Sequence, residues 1–202
     1  MTTATLILVA YLLGSISFAI VASRLFGLPD PRSYGSGNPG ATNVLRTGRK
    51  AAAVLTVIGD AGKGTVAVVI AAHFAEPGRV EVTVAAAAVA AVLGHMFPVF
   101  FRLQGGKGVS TALGVLIGLN SWLAVGTAVT WIIIAFFFRF SSLAALIAAA
   151  FAVFFALILY NPAHPYFIAT CTVAALLVWR HRSNIRNLVA GTESRLGENK
   201  GA

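Results

Sequence analysis

Residues Leu143–Tyr160 read LAALIAAAFAVFFALILY, an apolar run with no charged side chain. A helix needs about 20 such residues to cross the hydrocarbon of a bilayer, and this run is close to that length. Six further apolar segments follow the same reading: Thr3–Ser23, Ala51–Phe74, Val82–Phe101, Val109–Leu119, Trp122–Phe138 and Tyr166–Trp179. Of the 202 residues, 58% are hydrophobic and 10% charged, with a mean hydropathy of +0.85. A soluble domain carries about a quarter charged residues, so a soluble enzyme is excluded, as is a soluble nucleic-acid binder despite the net charge of +9. The expected fold is all-α: one polytopic integral membrane helical bundle over residues 1–202, with about seven transmembrane helices. Five is the alternative, because Val109–Leu119 at ~1.5 Å per residue covers only half the bilayer. The opening segment lacks a basic leader and runs directly into Arg24, so it reads as a retained span. The single cysteine, Cys171, lies in an apolar run, leaving no internal disulfide and no cysteine-based metal site.

Charge sets the orientation. With the N-terminus outside, Arg24, Arg32, Arg46, Arg49, Lys50, Arg102, Lys107, Arg139, Arg180, Arg182, Arg186, Arg195 and Lys200 face the cytoplasm, 13 of the 15 basic residues. Only Arg79 is then outside, and Lys63 lies within a span. Cytoplasmic loops carry the Lys/Arg excess, so the expectation is N-terminus outside and C-terminus cytoplasmic. The three unusual polar segments then share the cytoplasmic face.

The first segment runs Asp30–Asn43 and is followed by Arg46. Gly35, Gly37 and Gly40 permit positive φ, which can turn N–H groups toward one point. Ser36, Asn38, Thr42 and Asn43 add donors and Arg46 a fixed positive fork. The density of donors favours an anion site over a plain solvated turn. In the second, Gln104–Thr111, glycines 105, 106 and 108 flank Lys107 and open the short fourth helix, with Ser110 and Thr111 in its first turn. A glycine loop at a helix start presents unpaired N–H groups and the positive dipole end to phosphate. It is not a Walker A loop, since Gly108 follows Lys107 where Ser or Thr is required. In the third, His181 and Asn184 share a face of a continuing helix, with Ile185 and Leu188 beside them. His181 suits proton transfer or hydroxyl binding; Glu193 suits a structural pairing with a nearby arginine; Arg182, Arg186, Arg195 and Lys200 suit anionic lipid. Asp60 and Lys63, three apart inside a span, suit an intrahelical pair or the wall of a polar pocket. His95 reads as a hydrogen-bonding residue at a helix end, and His73 and His164 are without polar company.

Ser36-Gly-Asn-Pro-Gly-Ala-Thr-Asn43 with Arg46, then Gly105-Gly-Lys-Gly108, then His181-x-x-Asn184-Ile185 with Glu193 closely resemble the bacterial PlsY family, the acyl-phosphate:glycerol-3-phosphate acyltransferases. The similarity runs along essentially the whole chain, including Gly14–Ser17, Gly94-His95 and Pro98. It implies transfer of a fatty acyl group from acyl phosphate to the 1-hydroxyl of sn-glycerol 3-phosphate, giving lysophosphatidic acid and inorganic phosphate, a step of phospholipid synthesis. It also implies that Ser36 and Arg46 are essential, that the glycines with Lys107 form a phosphate loop, that His181 and Asn184 contact substrate, and that Glu193 holds the structure. The expected setting is the bacterial inner membrane, multi-pass, with the site on the cytoplasmic face. The expected partners are the two substrates and the bilayer, without nucleic acid and as a monomer.

The chemistry agrees with that implication. Two phosphorylated substrates need two anion sites, and an acyl phosphate is already activated, so no cofactor or metal is called for. No histidine is followed five residues later by aspartate, so the His-x4-Asp motif of other glycerolipid acyltransferases is missing. The expected route is direct transfer, with the proton going to His181 or to a substrate phosphate oxygen. An organic-phosphate transporter is the alternative; it predicts an internal repeat and polar groups spread through the membrane depth, and neither is seen in the sequence.

Overall fold

The structure is a computed structural model that describes residues 1–197; Lys200, counted above among the cytoplasmic charges, lies outside the described residues. Every regular element among them is helical. Helix α1 (Thr3–Gly14) starts at Thr2, whose hydroxyl accepts from the Thr5 N–H, and ends at a short break before α2 (Phe18–Leu25). Together they make one apolar stretch of 23 residues, Thr3–Leu25. Short α3 (Ala41–Leu45) follows a long loop, then α4 (Lys50–Phe74) and α5 (Val80–Met96). The rest is α6 (Val109–Leu119), α7 (Ser121–Phe138), α8 (Ser141–Leu159), α9 (Pro165–Arg180) and α10 (Arg182–Val189).

Five stretches are long and apolar enough to cross a membrane: Thr3–Leu25, Lys50–Phe74, Val80–Phe101, Ser121–Phe138 and Ser141–Leu159. The shorter pair, α6 and α9, have 11 and 16 residues. Both are cut short by their ends: Gly108 and Asn120 bound α6, while Pro165 opens α9 and His181 closes it.

Lipid tails give helices no hydrophobic reason to associate, so close backbone approach by small residues has to supply the packing. At the α1–α5 crossing, a Cβ on Gly14 would collide with the Ala91 carbonyl, and one on Gly94 with that of Tyr11. Ala10, Ala87, Ala88 and Ala91 fill the same contact. The outer face of α7 is the opposite case, with Trp122, Ile132, Phe136 and Phe137 all at least 60% exposed. That face suits lipid rather than water. The loop 26–49, the loop 97–108 and the tail from His181 gather at one end of the bundle around a common cavity.

Candidate active site

The cavity has a volume of about 380 Å³. Its polar mouth is formed by Ser36, Asn38, Gly40, Thr42, Asn43 and Arg46 from the first loop, Lys107, Gly108 and Ser110 from the second, and His181, Asn184 and Glu193 from the tail. All three polar segments therefore meet. The cavity continues between apolar walls, where α8 contributes Ala145, Ala148, Ala149 and Ala152, opposite Leu113 and Leu116 of α6.

The first loop is held open by Asn43. Its amide donates to the Pro31 carbonyl at 2.7 Å and the Tyr34 carbonyl at 3.2 Å, while its Oδ1 accepts from the Ser36 N–H at 3.0 Å. The sequence reading expected Asn43 to be a ligand donor, but both of its amide hydrogens are engaged by the loop's own backbone, so Asn43 instead fixes Ser36 in place. Gly35 and Gly37 do have positive φ, 59° and 66°, but Gly40 is extended at −150°; at Gly40 the requirement is space, since a Cβ would lie 2.8 Å from the Asn38 amide. The Asp30 carboxylate receives a bidentate Arg32 fork, with the shorter bond at 2.6 Å, and that fork holds its pKa below the ordinary carboxylate range. No ion pair engages Arg46 among the described residues.

In the second loop the Gly106 N–H is used, donating to the His95 carbonyl at 3.1 Å. Gly108 takes φ +88° and starts α6, whose first turn carries no side-chain cap. The free donors facing the mouth are thus those of the α6 terminus, with Lys107 above them. Gly37 and Gly105 face away, toward a separate opening of about 360 Å³ shared with Arg32, Gln104 and Arg180. Thr111 is fully buried with an unpartnered hydroxyl and does not reach the cavity. Arg180 is a residue the sequence reading counted only as a cytoplasmic charge. Its guanidinium donates to the Gly105 carbonyl at 2.8 Å and to the Gly106 carbonyl at 2.9 Å, clamping the glycine loop, and it stacks over Phe97. Its place directly before His181 was the available clue.

The tail does not run on as one helix; His181 is the joint between α9 and α10. Its Nδ1 lies 2.7 Å from the Leu177 carbonyl, which can only accept, so the proton sits on Nδ1 and Nε2 is left as an acceptor. Burial pushes its pKa down to about 4, the Leu177 bond opposing, which keeps the ring neutral at physiological pH. Lys107 donates to Asn184 Oδ1 at 2.5 Å, Asn184 donates to Glu193 Oε1 at 2.6 Å, and Ser142 donates to the same oxygen at 2.6 Å. Glu193 thus ties the tail to α8 and to the glycine loop, where an arginine partner was expected. Burial lowers the Lys107 pKa; Glu193 opposes this, while Arg180 and Arg46 reinforce it. Arg46 and Lys107 are close enough to repel, which an anion between them would relieve. Asp60 and Lys63 do form the intrahelical pair, at 2.7 Å, and Asp60 and His95 also line the cavity.

A family model described as Glycerol-3-phosphate acyltransferase matches residues 4–191. Glycerol-3-phosphate acyltransferases of Burkholderia ambifaria and Burkholderia thailandensis are each 59% identical, over 196 and 192 residues, covering 96% and 95% of this chain and 91% and 94% of theirs. The crystal structure of PlsY, an integral membrane glycerol 3-phosphate acyltransferase, aligns in its glycerol 3-phosphate form with a TM-score of 0.89 at 39% identity, covering 96% of each chain. Its lysophosphatidic acid form gives 0.88 at 38%, covering 96% of this chain and 95% of that one. With the family model spanning nearly the whole sequence and the fold shared at that level, this chain belongs to the PlsY family of glycerol-3-phosphate acyltransferases.

Proposed function

We propose that this protein transfers a fatty acyl group from acyl phosphate to the 1-hydroxyl of sn-glycerol 3-phosphate, releasing 1-acyl-sn-glycerol 3-phosphate and inorganic phosphate, in membrane phospholipid synthesis. The observation that carries this reading is one cavity with the cations Arg46, Lys107 and Arg195 in its lining and an alanine-walled apolar extension behind it. Two phosphates bind at the cationic end and the acyl chain runs into the apolar end. Holding the hydroxyl against the acyl carbonyl supplies the proximity, and the α6 N–H groups with Lys107 stabilise developing negative charge.

The hydroxyl oxygen attacks the acyl carbonyl carbon, and the bond from that carbon to the phosphate oxygen breaks, the phosphate leaving with the electron pair. Neutral His181 offers Nε2 to the hydroxyl hydrogen and orients it. With a pKa of about 4, His181 is a weak base, so the departing phosphate, whose freed oxyanion is a much stronger base than the ring, is the final proton acceptor. Ser36 binds and does not form an acyl-enzyme. Recovery of acyl-Ser36 from a quenched reaction would overturn direct transfer.

The orientation we infer has the N-terminus outside, the C-terminus cytoplasmic and the site on the cytoplasmic face of the inner membrane, in a single-domain, seven-crossing monomer that includes α6 and α9. The distribution of basic residues supports it. The decisive assay uses purified protein and radiolabelled glycerol 3-phosphate. Acyl phosphate is expected to give labelled lipid, and acyl-CoA and acyl carrier thioesters none. Product from the thioesters but not from acyl phosphate would sink the assignment of the donor.

A further inference from the structure

Three buried ionisable groups lie behind the glycine loop and are not used by the mechanism above. Asp60, Lys63 and His95 are each 6% exposed or less. The Lys63 ammonium has three hydrogens and three acceptors around it: the Ile16 carbonyl at 2.5 Å, Asp60 Oδ1 at 2.7 Å and His95 Nδ1 at 3.0 Å. The Ile16 carbonyl is free to accept because the first span breaks between α1 and α2, and the Phe18 N–H at the same break donates to Asp60 Oδ1 at 3.4 Å.

This arrangement fixes a tautomer. Lysine only donates, and at 3.0 Å it is closer to His95 Nδ1 than Asp60 Oδ1 is at 3.5 Å, so Nδ1 accepts and the ring hydrogen is carried on Nε2. That Nε2–H has no hydrogen-bond partner among the described residues. It lies beside Gly106, where an added Cβ would run into it, and His95 borders the cavity that holds Arg46 and Lys107. The His95 carbonyl meanwhile accepts the Gly106 N–H, so one residue both anchors the loop and presents a donor beside it.

We infer that His95 is a substrate-binding residue whose Nε2–H donates to a phosphate oxygen seated at the glycine loop, and that Lys63 is a positioning residue that holds the tautomer. The inference rests on the acyltransferase reading for the identity of the ligand. A neutral donor is suited to this place: it adds a bond to an anion already facing cations, without a further buried charge.

Two measurements test it. The first compares His95→Phe, which keeps a ring and loses the donor, with His95→Gln, whose amide reaches the Nε2 position. In the acyl-phosphate assay, His95→Phe is expected to raise KM for at least one phosphate substrate by about tenfold or more, and His95→Gln to recover most of it. Unchanged KM values for both substrates in His95→Phe, or equal damage in the two variants, overturns the inference. An inactive wild-type protein would instead overturn the functional reading.

The second measurement holds even if His95→Phe fails to fold. In wild-type protein labelled with 15N-histidine, His95 is expected to be the Nε2–H tautomer, with an Nε2 resonance that moves on titration with glycerol 3-phosphate and with inorganic phosphate. The pair Asp60→Asn with Lys63→Met is expected to lose that tautomer preference. A proton on Nδ1 in the wild-type protein, or an Nε2 signal unmoved by both ligands, overturns the inference.

Discussion

At Gly106 the fold leaves no room for a methyl group: it would meet the His95 imidazole on one side and lie 3.0 Å from the Pro39 carbonyl on the other. His95 cannot yield, being pinned through Nδ1. Gly106→Ala is therefore expected to destabilise the protein by about 1–3 kcal/mol, the usual range for overpacking, and to lower kcat/KM at least tenfold as the loop shifts; thermal unfolding in detergent and steady-state kinetics measure the two. His181 makes a prediction about pH. Its folded pKa of about 4 lies below the ordinary 6.5. Above pH 6.5 it contributes nothing to the pH dependence of stability. Between 6.5 and 4 the unfolded chain takes the proton first, so acidification destabilises the fold, by up to roughly 3 kcal/mol at the acid end. The melting temperature is expected to drop between pH 7 and pH 4.5, and His181→Gln to flatten that drop; an equal drop in both proteins would show that other groups carry it. The candidate residues were legible because few reasons exist to place Ser, Arg, Asn and Gly together beside apolar spans. Their division of labour was not: Asn43 and Thr111 look like ligand donors in sequence, and only the surrounding backbone shows the first engaged and the second out of reach.

Among the elements, the tail is held by more than its helix. Glu193 receives bonds from Ser142 and Asn184, and Asn184 receives one from Lys107. Glu193→Ala leaves those donors short of an acceptor and is expected to cost about 2 kcal/mol or more, with the tail more open to protease and activity lost. Glu193→Gln, which keeps an acceptor oxygen, is expected to fall between this variant and the wild type. Limited proteolysis and the acyltransferase assay together measure it. At the α1–α5 crossing, Gly94→Leu would press a side chain into the Tyr11 carbonyl and the backbone at Gly14 and Ser15, and is expected to prevent folding. The spans themselves were readable because the bilayer imposes a length on them. The break at Ser15–Ser17 and the joint at His181 were not, since the groups that satisfy them come from elsewhere: Lys63 reaches the Ile16 carbonyl from 47 residues away.

For the whole molecule, the arrangement of charge predicts a labelling pattern. In a Cys171→Ser background, Glu76→Cys is expected to react with an impermeant maleimide in intact cells, and Arg186→Cys only after permeabilisation. The reverse pattern would invert the proposed orientation. Composition alone pointed to a membrane bundle; the shape of its cavity could not be read, because residues from every helix from α3 to α10 and from the loops between them converge to build it. The alanines of α8 that line its apolar end have no rotamers to freeze when a ligand arrives, and equally none with which to make room. A bore of that kind sorts by girth. Methyl-branched acyl donors are expected to react more slowly than straight ones of equal carbon number when the two compete in one vessel, so the straightness of the tails in the finished lipid would be decided at this first acylation.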